Sequence, residues 1–200
     1  MISDKTFKFI LKPILRGVFK ILFFTKYEGK ENIPKTDGYI ICSNHRSNFD
    51  PLTVALGLKN LPHFMAKEEL FNVFFLGSLV KWLRAFPVKR GKSDVSAVTT
   101  AIDIVQNGKN LLMFPEGTRS KDGELLKPKS GVSLIASKAQ CLVLPCAIVC
   151  KGKIRIFKRI IVRYGKPLTE EQLKMEGQSA SELRKCSSLI MDSISQLIKE

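Results

Sequence analysis

The segment Ser43-Asn44-His45-Arg46-Ser47-Asn48-Phe49-Asp50-Pro51 places an imidazole and a carboxylate five residues apart in a polar stretch. If that stretch folds back, Asp50 can accept a hydrogen bond from one ring nitrogen of His45 and fix its tautomer. The other nitrogen is then left to take a proton from a hydroxyl. Asp50 followed by Pro51 also reads as a helix N-cap with proline at the first helical position. A second stretch, Phe114-Pro115-Glu116-Gly117-Thr118-Arg119-Ser120, gathers a carboxylate, a glycine, two hydroxyls and a guanidinium into one turn. The planar fork of Arg119 suits phosphate oxygens, and Gly117 permits close backbone approach. Glu116 can accept from a sugar-like hydroxyl or brace an arginine. A surface turn with a Glu–Arg pair is the plainer alternative, but together the two stretches suit a phosphorylated polyol.

Both stretches need rigid elements to bring them together. Short apolar runs predict strands at 39–42, 63–66, 86–89, 110–114, 142–149, 154–157 and 160–164. Between them, Ser93 is expected to cap a helix whose stripe is Val95, Val98, Ile102 and Val105 and whose end is Gly108. A further helix is expected over 131–140. A closing packing helix over 181–199 carries Leu183, Cys186, Ile190, Ile194 and Leu197 on one side. This alternation predicts an α/β fold, a layered α/β/α sandwich with a largely parallel sheet. Residues 154–164 would add an antiparallel strand or hairpin at one edge. The two polar stretches then lie in loops after strands, where α/β sheets place their chemistry.

Residues 5–24 resemble a spanning helix, but Lys8, Lys12, Arg16 and Lys20 interrupt them, and no uncharged run reaches the ~18 residues of a span. With Lys5 these bases form one stripe, while Phe7, Ile10, Leu11, Ile14, Val18, Ile21 and Leu22 cover the rest. That pattern predicts an interfacial anchor over 1–26, followed by a single domain over 27–200 with its motif region at 39–150. An ordinary helix on the core is the alternative. No small-residue cleavage site follows, which argues against a secretory signal.

The 200 residues carry 33 Lys and Arg against 18 Asp and Glu, a net charge of +15, and are 44% hydrophobic, which excludes disorder. The first 168 residues hold 29 bases and 12 acids. Residues 81–93, with five bases, and 151–166, with seven, contain no acid. They point to polyanions or anionic lipid. The five cysteines form no CxxC pair, an odd count that suits a reducing, cytosol-facing location, and no zinc cluster can be assembled from local spacing. Cys146, Cys150 and His63 are expected to be structural. The apolar stretch 70–79 reads as an ordinary core helix or as the wall of an acyl channel with room left at Gly77, and Trp82 as a membrane-boundary or half-buried residue.

Asn44-His45-Arg46-Ser47-Asn48-Phe49-Asp50 and Phe114-Pro115-Glu116-Gly117-Thr118-Arg119-Ser120 resemble the first and third motifs of the glycerophospholipid acyltransferase family. Phe86-Pro87-Val88-Lys89-Arg90-Gly91 resembles its second motif and Leu142-Val143-Leu144-Pro145-Cys146-Ala147 its fourth, with a cysteine where valine is usual. The similarity runs from about Tyr27 to Leu168. It is greatest to the bacterial branch that acylates lysophosphatidate.

The resemblance implies that His45 is the general base and Asp50 its orienter, and that Arg90 and Arg119 hold the acceptor phosphate. It implies that Glu116, Gly117 and Thr118 shape the glycerol pocket. It further implies direct attack on an acyl thioester of acyl carrier protein or coenzyme A, with no metal or other cofactor, at the cytoplasmic face of an anionic membrane. Glycerol-3-phosphate and lysophospholipids with larger head groups are alternative acceptors. A non-enzymatic basic membrane-binding or nucleic-acid-binding protein would show the same charge. Nucleic acid is not expected as a partner, because most of the 13 Phe lie in apolar runs rather than on a basic face. No Gly-x-Ser-x-Gly elbow or phosphate-binding P-loop is present.

Overall fold

The computed structural model describes residues 3–89, 94–173 and 179–200. Among them, seven strands form one sheet in the order β1-β7-β6-β2-β5-β3-β4. They are β1 (Lys26–Glu28), β2 (Ile40–Ser43), β3 (His63–Lys67), β4 (Ala85–Val88), β5 (Leu111–Met113), β6 (Val143–Val149) and β7 (Ile161–Tyr164). Every neighbouring pair is parallel except β6 with β7. The α/β fold with a mostly parallel, mixed sheet is therefore as expected.

Side chains alternate along each strand, so the central strands feed both layers. Ile41, Leu144, Cys146 and Ile148 pack on one face with Phe19 and Phe23 of the N-terminal helix and Val54 of α3 (Asp50–Ala55). Ile40, Cys42, Val143 and Ala147 pack on the other. There they meet Ala101 and Val105 of α5 (Val95–Gln106), Val132 and Ile135 of α6 (Gly131–Ala139), and Cys186 and Ile190 of α7 (Ala180–Lys199). All five cysteines are free and buried.

The N-terminal helix begins as α1 (Asp4–Thr6), widens into a π turn at Phe7–Leu11 and continues as α2 (Lys12–Phe23). Its broad apolar face is divided. Phe7, Phe19 and Phe23 are buried in the core, whereas Ile10, Ile14 and Ile21 are exposed. Polar ties hold the docked flank: Arg84, itself buried, pairs with Asp4 at 2.9 Å, and the Lys12 ammonium donates to the Leu58 carbonyl at 2.5 Å. No helix among the described residues is long and apolar enough to cross a membrane.

Four local expectations are corrected. Residues 154–157 form no strand, because Gly152 and Phe157 take positive φ angles of 70° and 64° and turn the chain. Their neighbourhood's backbone donors go to the end of the N-terminal helix instead of a ladder: Phe157 N–H to Leu22 O at 2.6 Å and Ile160 N–H to Phe23 O at 3.0 Å. The antiparallel β7 is not at the edge, since the unpredicted β1 pairs outside it; β1 is three residues with a single apolar one, too short to show alternation. Residues 70–79 are not a core helix. They divide between a 3-10 turn (Glu68–Asn72) and α4 (Leu76–Trp82), with Phe74 85% and Phe75 78% exposed. A Cβ on Gly77 would lie 2.2 Å from the Phe71 carbonyl oxygen, so this glycine permits α4 to seat on the preceding turn rather than leaving room for a lipid chain.

The fourth correction concerns the cap of α5. Ser93 lies outside the described residues, and Asp94 caps the helix, accepting from Ala97 N–H at 3.1 Å. Hydrogen bonds from the Lys89 N–H, the Ser96 hydroxyl and the Ala97 N–H hold its carboxyl down to about 2. A carboxyl depressed in the fold stabilises above its ordinary value, and that contribution is lost as pH falls through the depressed one. Asp94→Ala is therefore expected to lower Tm at neutral pH. Its deficit against the unmodified chain should shrink as thermal unfolding is repeated towards pH 2.

Candidate active site

Strands β2 and β5 are adjacent and parallel, with Ile40 opposite Leu111 and Cys42 opposite Met113. Their continuations leave to opposite sides of the sheet: α3 packs on the first face, and α6, which follows the β5 loop, on the second. The two polar loops thus flank a topological switch point at the strands' carboxyl ends, the place where open α/β sheets bind their ligands. The register carries past the strands. His45 N–H donates to Glu116 Oε1 at 2.9 Å, and Ser120 N–H donates to His45 O at 2.8 Å.

His45 is fixed on every side but one. Its Nδ1 lies 2.8 Å from Asp50 Oδ2, and its ring stacks on Phe114 with centroids 4.0 Å apart. Asp50 Oδ2 also accepts from Arg46 N–H at 2.5 Å and Ser47 N–H at 2.7 Å, which closes the loop around the carboxylate. Asp50 opens α3 but its side chain turns back to the histidine and makes no capping bond; Phe49 occupies the N-cap position. Asp50 Oδ1 is buried with no partner among the described residues, so the hydrogen bonds that compensate this charge all converge on Oδ2. With Nδ1 held as the N–H tautomer, Nε2 carries the lone pair. No hydrogen bond occupies it among the described residues, which leaves it available to a hydroxyl.

The base loop is also tied to β6. Asn44 is buried and uses its amide at both ends: Nδ2 donates to Ile148 O at 3.0 Å and Oδ1 accepts from Ile148 N–H at 2.7 Å. The guanidinium of Arg46 donates to Cys150 O at 2.7 Å and Gly152 O at 2.5 Å. Sequence reasoning missed these clamps and the Phe114 stack. Their partners are 69 to 106 residues away, and only the strand order, not local spacing, could have indicated them.

Glu116 lies deeper than a substrate-facing residue would. Its Oε2 accepts from Leu126 N–H at 3.0 Å, so the one carboxylate joins the histidine loop to the 121–129 segment. Burial pushes its carboxyl up, against the opposing pull of the two amide donors. Gly117 has φ 68°, and a Cβ there would meet the Lys129 side chain at 3.0 Å. Thr118 and Arg119 are exposed, and Arg119 reaches Asn48 Oδ1 at 2.7 Å, spanning the two loops. Arg90 lies outside the described residues. The loop amides of His45, Arg46, Ser47, Phe49 and Asp50 are all committed, to Glu116, Asp50, Ser47 Oγ and Ser47 O. Of the backbone donors between His45 and Asp50, only that of Asn48 has no acceptor among the described residues and is available to an oxyanion.

Residues 24–149, spanning both loops and the six strands β1 to β6, match the family model described as Acyltransferase. The chain belongs to the acyltransferase family. Among the family's relatives it is similar to the 1-acyl-sn-glycerol-3-phosphate acyltransferase of Bacillus subtilis, at 35% identity over 136 residues, 66% of each chain. It is also similar to that of Streptococcus pneumoniae, at 30% identity over 80% of this chain and 63% of that one. The chain thus spans about two thirds of the length of these bacterial relatives. The crystal structure of the 1-acyl-sn-glycerophosphate acyltransferase from Thermotoga maritima superposes with a TM-score of 0.73 at 27% identity, covering all of this chain and 83% of that one. The fold of that acyltransferase is therefore present here.

Proposed function

We propose that this chain transfers a fatty acyl group from a thioester to the free sn-2 hydroxyl of 1-acyl-glycerol-3-phosphate, giving phosphatidic acid. The observation that carries this is a buried His45–Asp50 pair whose Nε2 has no hydrogen-bond partner among the described residues, in a loop that the exposed Arg119 reaches at Asn48. The activities for which the similar bacterial proteins are named support the choice of acceptor. Nε2 takes the hydroxyl proton as the oxygen attacks the thioester carbonyl. The tetrahedral oxyanion collapses, the carbon–sulfur bond breaks, and the imidazolium returns the proton to the departing thiolate. Asp50 holds the tautomer and stabilises the imidazolium. Acyl carrier protein and coenzyme A are both suitable carriers of that thioester.

On this proposal the acceptor is a membrane lipid, and the protein sits peripherally at the cytoplasmic face. Sixteen of the eighteen exposed large hydrophobic side chains among the described residues support that placement. They come from the N-terminal helix and its exit, Phe49, residues 70–82 and the 156–157 turn. The buried side chains of these segments pack on the first sheet face and its neighbouring cluster, so the apolar surface is one-sided.

The test is phosphatidate formation, followed by mass spectrometry, with lysophosphatidate vesicles, glycerol-3-phosphate or no acceptor, and both donor types. Product only with lysophosphatidate supports the assignment. Product only with another acceptor, or none with any, overturns it. Arg119→Ala is expected to raise the acceptor KM by about tenfold or more, the loss of a charge-assisted phosphate contact, while the donor KM stays unchanged. Equal effects on both would remove Arg119 from the phosphate site.

A further inference from the structure

We propose that the turn over residues 151–159 is a second lipid-contacting element, binding anionic phospholipid head groups through its cations while Phe157 and Ile156 enter the acyl boundary. It rests on the membrane placement above but concerns a different segment of the chain, which adjoins the end of the N-terminal helix. Lys151, Lys153, Arg155, Lys158 and Arg159 are all exposed, and none has a carboxylate partner among the described residues. No acidic residue occurs between Lys151 and Leu168. Other cations nearby are used internally, as Arg163 is by Glu28 at 2.8 Å, so the free charge is concentrated at the turn.

At the centre of this charge stand two apolar side chains, Ile156 at 56% and Phe157 at 68% exposure. They continue the exposed face of the N-terminal helix. The Phe157 ring lies 6.5 Å from that of Phe24, and its N–H is bonded to the last turn of the helix at Leu22 O. Phe157 holds φ 64°, a conformation costly for an aromatic side chain, with no burial to offset it. An acidic protein partner would account for the cations but not for an exposed aromatic tip continuous with the helix's apolar flank. Cations around an apolar wedge match the two layers of an anionic interface. The base of the turn is joined to the catalytic loop, because Arg46, next to His45, donates to Cys150 O and Gly152 O. Docking of the turn would therefore set the height of His45 above the lipid.

Co-sedimentation of the full chain with phosphatidylcholine vesicles, with and without phosphatidylglycerol, tests this. Phe157→Gly removes an exposed side chain and relieves the positive φ, so it should leave Tm unchanged or raised while weakening vesicle binding about tenfold. Changing the five cations to Gln together should weaken binding to phosphatidylglycerol-containing vesicles by about a hundredfold or more and leave binding to phosphatidylcholine alone unaffected. Ile10→Ser with Ile14→Ser, on the helix, should weaken binding to both vesicle types alike. Unaltered vesicle binding by both turn variants overturns the proposal while leaving the helix assignment standing. Unaltered vesicle binding with a raised KM for acyl carrier protein donors assigns the cations to an acidic protein and also overturns it. If the unmodified chain binds neither vesicle, the membrane placement itself falls.

Discussion

His45→Ala is expected to lower kcat by roughly 10²–10⁴-fold, the range attributable to a positioned general base. The chain should stay folded and bind vesicles as before, because the imidazole makes only one side-chain hydrogen bond, within its own loop, and one ring stack on Phe114, while the backbone bonds of His45 to Glu116 and Ser120 remain. Asp50→Asn separates charge from geometry. An asparagine whose oxygen takes the place of Oδ2 can still accept from Arg46 and Ser47 N–H and from Nδ1–H, but it has no charge to stabilise the imidazolium. Its kcat should fall nearly as far, with little change in acceptor KM. A non-enzymatic binder would keep its affinity in both variants. Acyl transfer that survives His45→Ala would sink the mechanism.

Glu116→Ala is expected to cost about 2–4 kcal/mol of stability, because the N–H groups of His45, buried, and Leu126, half-buried, would be left without acceptors. Against a typical stability of about 5–15 kcal/mol, that is a large share. Glu116→Gln restores one acceptor and turns an NH₂ towards the other donor, so its loss should be intermediate. Urea unfolding measures both, and kcat should fall in the same order because the His45 backbone hangs on this carboxylate. If Glu116→Ala instead raises only the acceptor KM with an unchanged unfolding midpoint, the carboxylate belongs to the glycerol pocket rather than to the brace.

The parts of this molecule that were legible in the sequence are those whose cause is local. The apolar runs of β2, β5 and β6 are near-continuous, as strands buried on both faces must be. The stripe of α7 declares that helix, although the Ser179 to Glu182 capping box starts it slightly before the expected 181. His45 and Asp50 were legible because both ends of their bond lie in one loop. Glu116 was legible as a residue but not as a brace, since its role depends on the β2–β5 register that brings position 45 opposite position 116. The 154–157 segment misled for a related reason. Its β-branched and aromatic content is that of a strand, yet Gly152 and the exposed Phe157 bend it away, and its donors are satisfied by a helix end over 130 residues upstream.

The five buried cysteines make the chemistry unusually simple to follow. Burial pushes the thiol of Cys141 up to about 12 and those of Cys42, Cys146 and Cys186 upward as well, so thiolate is scarce at the pH of any assay. On the proposed thioester chemistry, a disulfide reagent that colours on meeting a free thiol would find the released carrier before any of these four. The reaction can thus be followed continuously with these four residues left in place, and a burst of colour from them would report unfolding rather than turnover.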